Sequence, residues 1–220
     1  MSEPETLGLF PSPFYRVNLA DEIDLDEIQQ LLNFANNEKN YILNINKNYI
    51  SIENNVLNVV LPSSSKLQKI LNYHVDNFIK NVLGQENANL KIHLSWLNKN
   101  PKGTSNHKHY HSNSIVSGVF YLTVNDDSGK FCVHRDISQR MTIQDKITKH
   151  NHFTYDYYHF IPKQYDLYIF PSTTYHSVEE NKSDETRISF AFNTFYEGKI
   201  GLSPTAGLEV GSIETGYNHS

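Results

Sequence analysis

The sequence predicts a mainly β domain with flanking helices (α+β), in which a sandwich or jelly roll is backed by two N-terminal helices. From residue 90 onward, short runs of β-branched and aromatic residues alternate with turn signals such as Pro101–Gly103 and Asn125–Gly129. Before residue 84, apolar residues recur instead at helical spacing. About eight short strands that follow two helices are typical of this architecture.

The N-terminal part is predicted to be an extended segment followed by a first helix. Two prolines within residues 8–19 disfavour a helix there. From Asp24 onward apolar residues recur near helical spacing, and Asp21 or Asp24 is a candidate N-cap. Residues 40–61 are predicted to be irregular with short strands, and their apolar runs read YILNI and VLNVVL.

A second helix is predicted to begin after Ser63–Ser65 and to end near Gly84. Its apolar stripe includes His74, which we assign to core packing rather than to chemistry. The strand candidates that follow are 90–98, 106–111, 115–124, 130–134, 158–162, 166–171, 175–179 and 187–196.

Length and organisation favour a single domain. A chain of 220 residues can bury a sizeable core, and no internal repeat or Gly/Ser linker divides it. We therefore predict one domain over residues 1–220. Residues 1–89 would pack on a core of residues 90–196, and residues 197–220 would form a C-terminal arm.

Composition excludes several classes of protein. The net charge of −5 argues against nucleic acid as a partner. Cys132 is the single cysteine, so no intramolecular disulfide can form, which suits a reducing compartment. There is no apolar run of membrane-spanning length and no signal-peptide pattern. We expect a soluble, cytoplasmic protein that does not act at a membrane, with its polar arm and first segment as candidates for a homodimer contact.

The candidate chemistry begins between Trp96 and Leu122. Three histidines in this stretch, His107, His109 and His111, are spaced by two residues. Residues i and i+2 of a strand lie on the same face, so neighbouring members of the trio could reach one metal ion.

Three more residues, which come much later in the chain, could complete such a site. His176 lies between two strand candidates, and Arg187 and Ser189 begin the last strand. Two histidines on one strand plus a distant third form a facial set with open positions for other ligands. Arg187 could hold a carboxylate in a bidentate grip, and Ser189 on the same face could add a hydroxyl donor.

Two rival ligand pairs remain open. His107 and His109 have the same spacing as His109 and His111, and His134-x-Asp136 is a literal H-x-D motif.

The same residues also have structural interpretations. The trio could be a solvated loop or an adventitious metal site, and Arg187 could pair with acidic residues between 179 and 185. Tyr121 and Trp96 could be ordinary core. Three other histidines lie in a Tyr-rich segment that we assign to a loop and strand flanking the site, namely His150, His152 and His159.

An ordered set of motifs resembles the Fe(II)/2-oxoglutarate-dependent oxygenases, in particular a branch of uncharacterised bacterial and phage proteins. The motifs are LFPSPFYRVNL, W-x-N, H-x-H with S-N-S and S-G-V-F-Y-L, S-G-x-F, F-P-S…H-x-V and R-I-S-x-x-F-N, and they extend from about residue 8 to Asn193. The resemblance implies a double-stranded β-helix (jelly roll, cupin-like). It also implies a hydroxylase that uses Fe(II), 2-oxoglutarate and O2 and that forms succinate while it oxidises a small molecule, protein or peptide.

The resemblance also implies residue roles. Fe(II) would be held by three imidazoles, those of His109, His111 and His176. Arg187 and Ser189 would bind the distal carboxylate of 2-oxoglutarate, with Tyr121 assisting. Asn98 and Trp96 would form the opposite wall.

The middle ligand departs from the usual H-x-D/E…H set of the superfamily, because His111 stands where an acid is expected. A neutral imidazole there leaves one more positive charge on the iron, although three-histidine iron sites exist in other oxygenase classes. Two other functions therefore stay open: a cupin-like metal- or sugar-binding module, and a three-histidine dioxygenase that needs no oxoacid. Arg187 favours the 2-oxoglutarate-dependent oxygenase over these two functions, because a carboxylate-binding arginine has no evident purpose without an oxoacid.

Overall fold

Two antiparallel β-sheets face each other, and helices cover the outer face of the larger one. The computed structural model describes residues 3–136, 145–201 and 206–211. Its helices are α1 (Leu25–Asn36), α2 (Val56–Val60) and α3 (Lys66–Asn77), and α3 continues into a π-helical turn (Phe78–Val82).

The strands, numbered along the chain, form three sheets. The seven-stranded sheet has the spatial order β1 (Tyr15–Asn18), β9 (Asp166–Pro171), β6 (Val116–Thr123), β11 (Arg187–Tyr196), β4 (Leu90–Asn100), β3 (Tyr49–Ser51) and β2 (Tyr41–Leu43). The four-stranded sheet has the order β5 (Asn106–His109), β10 (His176–Val178), β7 (Phe131–His134) and β8 (Tyr157–Phe160). A separate hairpin pairs β12 (Gly198–Ile200) with β13 (Leu208–Val210).

Side-chain caps fix where the two long helices begin. The Asp24 carboxylate accepts a hydrogen bond from the Asp26 amide at 2.9 Å, and the Ser65 hydroxyl accepts one from the Gln68 amide at 3.1 Å. Each bond satisfies an amide that has no partner within its helix. The sequence offered Asp21 or Asp24 as the first cap and Ser63–Ser65 as the second, and the structure uses Asp24 and Ser65.

Alternation along β11 separates two faces of the large sheet. The side chains that point outward pack with the helices in the main core, and they are Ile188, Phe190 and Phe192. Gly118 lies opposite Phe192, and a Cβ at that position would lie 2.2 Å from the phenyl ring, so only glycine fits there. The side chains that point inward line a cavity between the sheets, and they are Arg187, Ser189 and Ala191.

A second, smaller core closes the space between the sheets. Its buried members are Val119, Tyr121, Phe131, Tyr168 and Phe170. Phe14 stacks on Phe160 with ring centroids 4.4 Å apart, which ties the N-terminal segment to the four-stranded sheet.

The predicted fold class is confirmed: the protein is mainly β, with antiparallel sheets and N-terminal helices. Each of the eight strand candidates overlaps a strand. The histidine assigned to the core, His74, is 5% exposed and lies 2.8 Å from the Tyr15 hydroxyl.

Two local predictions were wrong. The run VLNVVL forms helix α2 rather than irregular structure, because the Ser95 hydroxyl on β4 accepts a hydrogen bond from the Leu57 amide at 2.9 Å. The strand predicted for residues 106–111 ends at His109, because the His111 amide bonds to the loop before β10.

The division of the chain into a core and flanking segments stays a prediction. Part of the expected C-terminal arm, residues 202–205 and 212–220, lies outside the described residues. Within the described ranges, none of the helices has the length and apolar character needed to cross a membrane.

Candidate active site

Three histidines converge between the two sheets. The register of β10 and β5 places His176 directly opposite His109. His111 follows the end of β5, and its amide donates to the Ser172 carbonyl at 2.9 Å. One ring nitrogen from each histidine lies within 4.8 Å of the other two. A single ion between the sheets is therefore within reach of all three.

Backbone carbonyls orient two of these imidazoles. His109 Nδ1 lies 2.7 Å from the His107 carbonyl, and His176 Nδ1 lies 2.9 Å from the Thr174 carbonyl. A carbonyl only accepts, so each Nδ1 carries the proton and each Nε2 keeps a free lone pair. The Nε2 atoms of His111 and His176 are 3.3 Å apart. Metal-ligating histidines are held in this way by a partner on the other ring nitrogen.

All three imidazoles are neutral at physiological pH. Burial, together with the neighbouring imidazoles, lowers the pKa of His111 to about 4 and that of His176 to about 3. Burial also lowers the pKa of His109. A neutral imidazole is the form that binds a transition metal, so the donor set fits a divalent ion such as iron, nickel, copper or zinc.

Arg187 is a buried cation without an acidic partner. Its side chain is 1% exposed, and one guanidinium nitrogen donates to the Ser128 carbonyl at 2.5 Å. Its Nε has no hydrogen-bond partner, and none of the ion pairs found within the described residues includes it. Burial lowers its pKa, and the nearby Tyr121 raises it. The guanidinium stays protonated, because arginine does not lose its proton in proteins. A buried charge of this kind needs an anion.

Tyr121, Ser189 and Asn98 are side by side across three strands. The registers pair Ser189 with Tyr121 on one side and with Asn98 on the other. The Tyr121 hydroxyl is buried and has no partner in the described part of the chain. Burial raises its pKa, so it stays a neutral donor. These three residues line the same cavity of about 250 Å³ as Arg187 and the three histidines.

The residues that occur only in the rival pairs, His107, His134 and Asp136, are not in the cluster. The exposed His107 lies at the cavity rim, with Nδ1 2.7 Å from the Asn46 amide nitrogen. His134 Nε2 lies 2.8 Å from the Ser177 hydroxyl. Neither His134 nor Asp136 belongs to the group of metal-ligating side chains found among the described residues.

The aromatic side chains predicted to be near the site divide into two sets. The Trp96 ring lies 5.6 Å from the His111 ring and lines the cavity. His150 stacks on Tyr155, and His152 bonds to the Tyr158 hydroxyl, away from the cavity. His159, on β8, does not line the cavity either.

Several lining residues had no role in the sequence prediction. They are Asn44, Ile50, Asn106, Val119, Phe131, Phe170, Val178 and Ala191. Val119 and Ala191 lie two residues from Tyr121 and Ser189, so strand periodicity could have found them. Nothing in the sequence indicates that the β2–β3 hairpin, which carries Asn44 and Ile50, reaches the site.

The chain is similar to a family of known proteins over part of its length. Residues 94–193 match the model of a family described as "Putative 2OG-Fe(II) oxygenase". A search of curated proteins returned no match.

Solved structures share the fold at low identity. One is an oxidoreductase of the 2OG-Fe(II) oxygenase family from Burkholderia pseudomallei, at 16% identity and a TM-score of 0.52 over 82% of this chain and 83% of that one. A second is the epimerase SnoN in complex with Fe3+, alpha ketoglutarate and nogalamycin RO, at 12% identity and 0.57 over 84% and 79%. A third is a prolyl hydroxylase from Trichoplax adhaerens in complex with a hypoxia inducible factor peptide, at 16% identity and 0.54 over 83% and 82%.

Proposed function

We propose that this chain, whose residues 94–193 match the family described as "Putative 2OG-Fe(II) oxygenase", is an oxidoreductase, namely a non-haem Fe(II)- and 2-oxoglutarate-dependent hydroxylase. One observation carries the proposal. A single cavity is lined both by three neutral imidazoles and by a buried guanidinium without an acidic partner. A metal ion and a dicarboxylate would satisfy both.

His109, His111 and His176 are the proposed ligands of Fe(II). Their lone pairs converge, and carbonyl bonds hold two of the rings in place before the metal arrives. Bound Fe(II) supplies chelation of 2-oxoglutarate and activation of O2, which couples oxidative decarboxylation of 2-oxoglutarate to succinate with oxidation of a substrate C–H bond. Among the described residues three side chains form the ligand group, so an ion held by them would keep coordination positions open.

Arg187 would bind the distal carboxylate of 2-oxoglutarate. The guanidinium gains the anion that it lacks, and its free Nε and the Tyr121 hydroxyl both gain an acceptor. Ser189 adds a hydroxyl from the same wall. Apolar neighbours in the cavity, including Val119 and Ala191, keep water from competing for these bonds.

The all-imidazole ligand set favours one alternative, a three-histidine dioxygenase that needs no oxoacid. His111 contributes no negative charge, so the protein alone does not reduce the charge of the metal ion. Arg187 favours the oxoacid enzyme over this alternative and over a cupin-like sugar-binding module, since neither of them explains a buried cation facing the metal cavity.

The test is an anaerobic titration with Fe(II) and then 2-oxoglutarate. We expect Fe(II) to quench the fluorescence of Trp96, the single tryptophan, because its ring lies 5.6 Å from the His111 ring. We then expect 2-oxoglutarate to produce a weak visible charge-transfer band, and air to release succinate.

Two variants test which histidines hold the metal. His176→Ala should abolish both the quenching and the band. His134→Ala, from the rival H-x-D pair, should leave both intact. A wild-type protein with neither band nor succinate would contradict the proposal, and a metal lost in His134→Ala would contradict the ligand set. The cytoplasmic location and the homodimer remain predictions.

A further inference from the structure

A second cavity of about 610 Å³ adjoins the candidate active site. The two cavities share Ile50 and Trp96. The other residues that line the second one are Ile42, Ser51, Ile52, Asn54, Leu94 and Asn193. We call this second cavity the apolar groove.

The apolar groove continues the inner face of the large sheet. Asn98, Trp96 and Leu94 alternate along β4 and therefore share one face. That face runs from the proposed oxoacid wall, past the ring beside His111, and into the groove. Its far end is open to solvent, since Ile42 is 56% exposed. A molecule in the groove can thus extend to the metal centre without leaving the sheet surface.

We propose that the apolar groove binds the body of the substrate, and that this body is a small, uncharged and largely apolar organic molecule. The inference rests on the proposed function and adds the class of substrate to it. None of the described lining residues is charged, so a charged group would lose its hydration there without gaining a partner. Cavities of roughly 300–1,000 Å³ with mostly apolar walls are typical of sites for small molecules.

One polar group in the groove is positioned to orient such a molecule. The Asn193 side-chain oxygen accepts a hydrogen bond from the Ser117 hydroxyl at 2.7 Å. Its amide nitrogen has no bond to the described residues and is therefore left as a donor. The substrate body should carry one hydrogen-bond acceptor, such as a carbonyl or ether oxygen, at this point.

The groove offers too few polar partners for an extended peptide. Each residue of a peptide brings a backbone N–H and a C=O that need partners when water is removed. The polar side chains of the groove are Ser51, Asn54 and Asn193, and the Ser51 hydroxyl already donates to the Glu53 carbonyl at 2.7 Å. An apolar small molecule makes no such demand.

The probe for the test is N-phenyl-1-naphthylamine, an uncharged apolar fluorophore that absorbs where tryptophan emits. Trp96 is the single tryptophan and lines the groove, so energy transfer from it reports that the dye has bound, and the substitutions below show whether it is bound in the groove. We expect saturable energy transfer in the wild-type protein. Ile42→Glu should weaken dye binding at least tenfold, since it introduces a charge into the groove wall.

Leu43→Glu is the matched control. Leu43 follows Ile42 on β2, is similarly exposed at 63%, and does not line the groove. Its dye affinity should stay within twofold of wild type. Unchanged affinity in Ile42→Glu, or an equal loss in Leu43→Glu, would overturn the proposal. A dimer that Ile42→Glu dissociates in sedimentation would also overturn it, because a second copy would then be the occupant.

A comparison of two metal ions shows whether the bound dye lies near the histidine centre, independently of the test of the proposed function. With Mn(II) at the histidine centre, paramagnetic relaxation should broaden the NMR signals of the bound dye, and with diamagnetic Zn(II) it should not. Dye that binds without broadening lies away from the metal and would overturn the substrate assignment. The visible band of Fe(II) and 2-oxoglutarate, measured on wild type without dye, tests the proposed function alone.

Discussion

The two faces of β11 carry different kinds of interaction. Its outward side chains are apolar, fully packed against the helices and complete without a ligand. Its inward face begins with Arg187, a buried charge, and lies opposite Tyr121, whose hydroxyl has no partner. The contrast teaches that one strand can stabilise the fold through one face while polar atoms at its other face have no hydrogen-bond partner among the described residues. The unsatisfied side is where we propose that the co-substrate binds.

The largest expected effect is on the outward face. Phe190 is fully buried in the main core, so Phe190→Ala should lower the free energy of unfolding by about 3–5 kcal/mol. Ser189→Ala, one residue away on the inward face, should cost less than about 1 kcal/mol, because it removes no core packing. Urea denaturation of both variants measures the difference. Equal losses would show that the two faces do not differ as described.

The next effect is on ligand binding rather than on stability. Arg187→Met should weaken 2-oxoglutarate binding by roughly 100-fold, as expected when one partner of a buried charge pair is removed. The metal content should stay close to wild type. Without 2-oxoglutarate, the unfolding free energy should be unchanged or higher, because an unpaired buried charge has been replaced by an apolar side chain.

Calorimetric titration with 2-oxoglutarate, metal analysis and urea denaturation together check this prediction. Arg135→Met is the control, since Arg135 bonds to the carbonyls of Tyr155 and His152 outside the cavity. Loss of the metal in Arg187→Met would contradict the role we assign to the arginine.

The smallest effect concerns His74, a histidine on helix α3. Burial lowers the pKa of His74 below its ordinary 6.5, and Glu22 opposes this in part. Below about pH 6.5 the His74 imidazole binds a proton in the unfolded chain but not in the folded protein. The free energy of unfolding therefore falls as the pH falls. His74→Gln should therefore lose less stability than wild type between about pH 7 and about pH 5.5. Denaturation at the two pH values tests this, and the contribution of every other histidine cancels in the comparison.

The strands of the core could be predicted because their residues alternate and turn residues separate them. Helix α2 could not, since its β-branched residues favour a strand and contacts with other elements hold it, among them the bond from its Leu57 amide to Ser95 and the packing of Val56 and Leu57 in the main core. The sequence also pointed to His109 and His176, but it could not choose firmly between His107 and His111. That choice depends on the chain leaving β5 after His109, where the His111 amide bonds to Ser172.

The apolar groove could not be predicted at all. Its walls come from β2, β3, β4 and β11, which are far apart in sequence, and no single motif links them. Hydrophobic residues such as Ile42 and Leu94 are ordinary strand residues until the sheet order makes them neighbours. Motifs therefore pointed to the chemistry, whereas the class of substrate required the assembled sheet.

His109 and His176 are each oriented by a bond to a nearby backbone carbonyl. In both cases that carbonyl belongs to the residue two positions before the histidine. The orientation of these imidazoles thus needs no distant acid or amide. Two tripeptides, residues 107–109 and 174–176, contain the rings and the groups that hold them, and the β5–β10 ladder brings them together. For protein design, this makes two of the three histidines of the centre a transferable unit that another antiparallel ladder of the same register could accept.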